Sequence, residues 1–273
     1  MSATTPIQPP VTSGAPPQPG AGDGATAPVA PATANRRRRF VALYRLFLRN
    51  QATTSRLLGL GALGVVGIAL GLLIGVNHPF DPTRRGTRLV DVYGLSLLAP
   101  ITSLVFASSA LGDLVDDHTL VYVWLRSVPR AHIAWAAAAA STAVCAPLVV
   151  VPLVIAAALT GGDATLLSGA AVSSLVAVIG YVGVFTAVGL RFRRALVWGI
   201  VYILLWEQFV ARAAGSASKL ALLAYSRSVL SGYTGVGLKL ATLSVPVGLV
   251  VPLVVGPLAV VYTGRRLAHH DVD

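Results

Sequence analysis

The sequence predicts an all-α integral membrane protein: six transmembrane helices, an amphipathic helix before the first, and a short amphipathic helix in a cytoplasmic loop. Three observations lead there. The 273 residues are 55% apolar and only 11% charged, against about 25% charged in a typical soluble domain, and mean hydropathy is +0.75. Apolar runs close to the length that crosses a bilayer, about 20 residues, recur along the chain. The charge is lopsided, 21 Lys and Arg against 10 Asp and Glu for a net +11. The basic residues gather at the ends of the apolar runs, which favours a membrane surface over nucleic acid. So few charges cannot cover a globule of 28.1 kDa, which excludes an ordinary cytosolic enzyme.

Residues 1–35 hold eight of the 17 prolines and one charge, Asp23. With too little apolar surface to offset its ordering entropy, this Pro/Ala-rich segment reads as a disordered cytoplasmic tail. At Arg36 the composition changes. Four arginines precede Phe40, Leu43, Tyr44, Phe47 and Leu48, whose spacing makes one stripe of a helix. Arg38, Arg45 and Arg49 fall on the other side, as in a basic interfacial helix. The competing reading is a nucleic-acid-binding patch, but the segment leads straight into an apolar run.

The spans are read at 57–76, 92–111, 133–160, 166–190, 195–211 and 245–263. The third is longer than the hydrocarbon core and carries Pro147 and Pro152; Gly161 and Gly162 turn the chain into the fourth. Residues 77–91, with two prolines and five charges, read as a polar connection outside the membrane. Residues 215–244 read as an outer segment holding a short surface or re-entrant helix. A cytoplasmic N-terminus puts fourteen basic residues inside and seven outside, so the chain is placed in the cell membrane with both termini cytoplasmic. Residues 36–266 read as one six-helix transmembrane domain and 267–273 as a short cytoplasmic tail. Cys145 is the single cysteine, which leaves no intrachain disulfide and no thiolate metal site.

Between the second and third spans, Asp116 or Asp117 can cap a helix. Leu120, Val121, Trp124, Leu125 and Val128 share its apolar face, Arg126 sits near its C-terminal end where the dipole favours cations, and Pro129 ends it. This helix either lies on the lipid surface or docks into a groove on a partner.

The run Asp116-Asp117-His118-Thr119-Leu120, then Leu125 and Val128-Pro129-Arg130 before a span, resembles the cytoplasmic loop of ABC type-2 exporter permeases. The layout of residues 36–266, Trp206-Glu207 in the fifth span and Tyr225-Ser226-Arg227 beyond it resemble that family too. His118 stands where the family usually has Gly, and Ser127 precedes the proline rather than following it. The resemblance implies a permease subunit paired with a second permease chain and driven by a separate ABC ATPase. Asp116, Asp117, Thr119, Leu120, Trp124, Leu125, Pro129 and Arg130 would couple the two, and the interfacial elbow helix, with Phe40, Leu43, Tyr44 and Phe47, would brace the bundle at the interface. The chain has no phosphate-binding loop of the Gly-x-x-x-x-Gly-Lys-Ser/Thr type, so ATP and Mg would be bound by the partner and no cofactor by this chain.

Glu207 is the one acid well inside a predicted span, where an ionisable group is costly and marks function by default. It reads either as half of a structural pair, with Arg212 or a loop base, or as part of a translocation path or proton relay. No His lies in a span with an acid or nucleophile, so neither a catalytic nor a metal site is expected. The rival readings are an ATPase-independent secondary transporter or channel, and a membrane scaffold subunit. The substrate is expected to be lipid-like or amphipathic, given spans with few polar groups.

Overall fold

A computed structural model describes residues 32–77, 80–116, 130–192, 194–210 and 220–269. These residues form helices and connecting turns, with no strand among them. The helices are α1 (Ala32–Gln51), α2 (Thr54–Val76), α3 (Pro82–Leu89), α4 (Ala99–Asp116), α5 (Arg130–Leu159), α6 (Ala164–Arg191), α7 (Ala195–Val201), α8 (Leu222–Thr234) and α9 (Val245–His269). A π-helical segment, π1 (Val90–Leu98), joins α3 to α4, and a second, π2 (Tyr202–Val210), extends α7. Five helical rods are long and apolar enough to cross a membrane: Thr54–Val76, Pro82–Gly112, Ala131–Leu159, Ala164–Arg191 and Val245–Leu267. The chain is thus multi-pass by length and composition.

The polar connection expected at 77–91 is largely helix. Asp81 caps α3, its carboxylate accepting from the Arg84 N–H at 2.9 Å, with Pro82 in the first turn. Pro suits that position because its missing N–H would have no intrahelical partner anyway. The rod then runs unbroken into the second span, which carries Asp91 into the bundle. The expected span 195–211 differs as well. Ala195–Glu207 is a shorter apolar helix, too short alone to match the five long rods.

Small residues set the packing, as they do where helices meet in lipid. A Cβ on Gly183 of α6 would stand 2.3 Å from the Gly256 carbonyl oxygen of α9, and one on Gly189 would stand 2.5 Å from the Ser108 carbonyl oxygen of α4. The backbones touch at both crossings. The central helix α6 buries Ala170, Ala177, Val178, Tyr181, Val182 and Phe185. Asp163 caps it, accepting from the Leu166 N–H.

One end of the bundle is marked by its partners. Phe47 of α1 is buried in a cluster with Ala110 and Leu111 from the end of α4, Ile133, Ala136, Ala137 and Ala140 from the start of α5, Leu190 from the end of α6 and Leu267 from the end of α9. Phe40, Leu43, Tyr44 and Leu48 pack against the same cluster. The stripe of α1 thus packs on the bundle. Val41 and Leu46 are exposed beside Arg37, Arg38, Arg45 and Arg49. At this end the Gln51 side chain donates to Ser141 Oγ at 3.0 Å, tying α1 to α5.

Candidate functional site

The buried charges meet where π2 and the start of α8 approach each other. From the α1 end, α7 and π2 run inward and bring Glu207 to the hydroxyl of Tyr181 on α6. Residues 211–219 lie outside the described residues. The described chain resumes ahead of α8, of 13 residues and so about 20 Å long. It starts beside the same site and runs to the far end, where Tyr233 packs on Gly169 near the start of α6. The stretch 215–244, expected to hold a short surface or re-entrant helix, holds α8, which buries Leu223, Val229 and Leu230. It ends at Gly235, whose φ of 68° is the left-handed value that glycine accepts without a Cβ penalty.

Glu207 is fully buried, at 0% exposure. Tyr181 Oη donates to its Oε2, and Tyr202 Oη, five residues earlier on π2, donates to Oε1 at 3.3 Å. The backbone N–H groups of Leu222 and Leu223, the first two residues of α8, are also directed to this carboxylate. Ala221, the N-cap residue of α8, offers no side-chain cap. Glu207 therefore fills that role from π2, and its carboxyl sits where a helix dipole favours an anion. Phe185 fixes the phenols, stacking on the Tyr181 ring at 5.7 Å and meeting the Tyr202 ring edge-on at 6.1 Å.

Six residues into α8, Arg227 is 3% exposed. Its Nε donates to Asp91 Oδ1 on π1, and its Nη2 donates to Ser96 Oγ at 2.9 Å. Ser96 in turn donates to the Asp91 carbonyl oxygen at 2.9 Å, a step of five residues that matches the π-helical repeat. The two clusters share α8, which meets Glu207 at its first turn and Asp91 through Arg227. Each π-helical segment supplies one acid: π1 gives Asp91 and π2 gives Glu207.

The sequence located Glu207 but not its partners. Its expected partner Arg212 lies outside the described residues. Arg227 and Asp91 read as outer-loop charges, yet they form a buried pair 136 positions apart. Tyr181 and Tyr202 were legible only as polar tips within apolar runs. Of the loop residues, Asp117, Thr119, Leu120, Trp124, Leu125 and Pro129 lie outside the described residues. Asp116 ends α4 and Arg130 begins α5. Among the described residues, no group of three or more His, Cys, Asp or Glu could hold a metal.

The network can hold a charge inside the bundle and tie α8 to two other elements. Comparison with known protein families, curated proteins and solved structures finds no match. The functional reading therefore rests on the residues themselves.

Proposed function

We propose that the chain is the membrane-spanning subunit of an ATP-driven exporter of the ABC type-2 kind. On this reading it pairs with a second permease chain in the cell membrane, with both termini cytoplasmic. The six crossings are α2, α3–π1–α4, α5, α6, the split α7–π2/α8, and α9, and α1 is the elbow helix. ATP and Mg belong to a separate ATPase subunit. The cargo is amphipathic or lipid-like, in keeping with the apolar walls of the bundle.

One observation carries this reading. The loop 117–129 joins α4 to α5 at the same end of the bundle where α1 packs and where Arg191, Arg194, Arg265 and Arg266 cluster. On this reading a helix in that loop would face the cytoplasm, the side the positive-inside rule assigns to this end. ATPase closure would press on it, and the load would reach α4 and α5 directly. Such a lever needs contacts that differ between two states, which Trp124 and Leu125 would supply.

The test is reconstitution with the co-purified ATPase. Leu125→Asp should abolish both ATPase association and ATP-dependent transport. Retention of both would remove the docking role. The secondary-transporter reading draws support from the buried Asp91, Arg227 and Glu207, since ionisable groups in several crossings suit ion-coupled transport. Transport in liposomes driven by a proton gradient without any ATPase would establish it instead.

A further inference from the structure

Counted as charges, the buried network holds Asp91, Arg227 and Glu207, and among the described residues it is one cation short. Arg227 is committed to Asp91 and Ser96, so among the described residues the Glu207 carboxylate is met by hydroxyl and amide donors. Around it, α6 presents Tyr181, π2 presents Tyr202, and α8 carries Arg227 with its Asp91 counter-ion from π1. No titratable side chain occurs in α4 between Ala99 and Gly112, or in α9 between Val245 and Val261. An ionised carboxylate at 0% exposure with no cation among the described residues carries a heavy desolvation cost. A metal cation takes about six oxygen ligands or more, and beside this one carboxylate the described shell offers two phenols already donating to it and two N–H groups. The cation that fits is a proton.

From this geometry we infer that Glu207, enclosed by Tyr181, Tyr202 and the first turn of α8, is a reversible proton-binding site that controls how firmly π2 and α6 hold the start of α8. A proton from the aqueous phase forms an O–H bond at one carboxylate oxygen, and the net charge of the network goes from minus one to zero. That oxygen changes from acceptor to donor. It then competes with the Tyr181 hydroxyl and with the Leu222 and Leu223 N–H groups for the role of donor. The first turn of α8 loses its anionic cap, and its attachment to π2 and α6 loosens. In the ionised state the four donors hold π2, α6 and α8 together. This holds whatever energy source drives the chain, so it stands or falls apart from the ATPase assignment.

The experiment uses the full chain in lipid nanodiscs, with no ATPase present. Infrared difference spectra across a pH titration read the protonated-carboxyl C=O band, and hydrogen exchange, corrected for its intrinsic pH dependence, reads the α8 amides. A titrating carboxyl band is expected, with loss of α8 protection in step with it. Glu207→Gln should remove the band and leave α8 protection independent of pH. Tyr181→Phe, a smaller change that deletes one donor to the carboxylate, should shift the midpoint of both signals to higher pH, and it carries the test if Glu207→Gln fails to fold. A missing band, a band that survives Glu207→Gln, an unmoved midpoint in Tyr181→Phe, or α8 protection that ignores the band would each overturn the inference.

Discussion

At the residue scale, the Asp91–Arg227 pair shows how a charge is tolerated inside the bundle. Each partner satisfies the other, and Ser96 takes a remaining guanidinium donor. Breaking the pair from one side is expected to cost more than replacing it. Arg227→Met leaves a buried carboxylate uncompensated, at a cost of about 3–5 kcal/mol. The double change Asp91→Leu with Arg227→Met should recover much of that loss. Thermal unfolding of the three proteins in one detergent checks the ordering, and a double variant less stable than Arg227→Met would contradict it. A second prediction concerns Asp163 at the far end. The Thr165 hydroxyl, followed by the Leu166 N–H, holds its carboxyl below the ordinary aspartate range. A group whose folded value is lowered stabilises the fold above its unfolded value, and that contribution fades as pH falls through the folded one. Asp163→Ala should therefore unfold at a lower temperature than wild type at neutral pH, and the gap should close in acid below the usual aspartate range. A gap that does not change with pH would refute the capping role.

At the element scale, what could be read in the sequence followed local periodicity. The rods Thr54–Val76, Ala131–Leu159, Ala164–Arg191 and Val245–Leu267 match uncharged apolar runs, because hydropathy over about 20 residues is a sufficient signal in lipid. The stripe Phe40, Leu43, Tyr44 and Phe47 was legible as a helix face. Which surface it meets was not, since protein and lipid are equally apolar. Two elements were hidden for a different reason. Asp81-Pro82-Thr83 is a helix start, but Arg84, Arg85 and Arg88 masked α3 as a loop. In α8, Ser226, Arg227, Ser228 and Ser231 dilute the hydropathy of a buried helix. Its polar side is paid for by π1 and by α8 itself, through Asp91 and through Ser226 and Ser228 bonding back to carbonyls four residues earlier. No local pattern encodes such long-range partners. A prediction belongs here too. Gly183→Ala places a Cβ 2.3 Å from the Gly256 carbonyl oxygen. Rigid backbone stands on both sides, so α6 and α9 must part, at a cost of about 1–3 kcal/mol. Gly59→Ala, with open space around its Cβ, is the matched control. Equal unfolding temperatures for the two variants would show that the close crossing is not required.

At the scale of the whole molecule, the two ends of the bundle differ. One end gathers α1 and the helix termini around Phe47, Leu111, Ile133 and Leu267, where α4 ends and α5 begins. Glu207 lies between that end and the other, where α8 meets the start of α6. On the proposed reading, force enters at the loop and passes along α4 and α5 to the bundle that holds the charge network. The central claim is that the loop is gripped by an ATPase. The most direct measurement places a photo-crosslinking residue at position 124 in the full chain, within its native membrane, and identifies the captured partner by mass spectrometry. The account predicts an ATP-binding subunit, captured in ATP-sensitive amounts and lost in Leu125→Asp. Crosslinks to lipid alone, together with transport that proceeds without ATP, would contradict it.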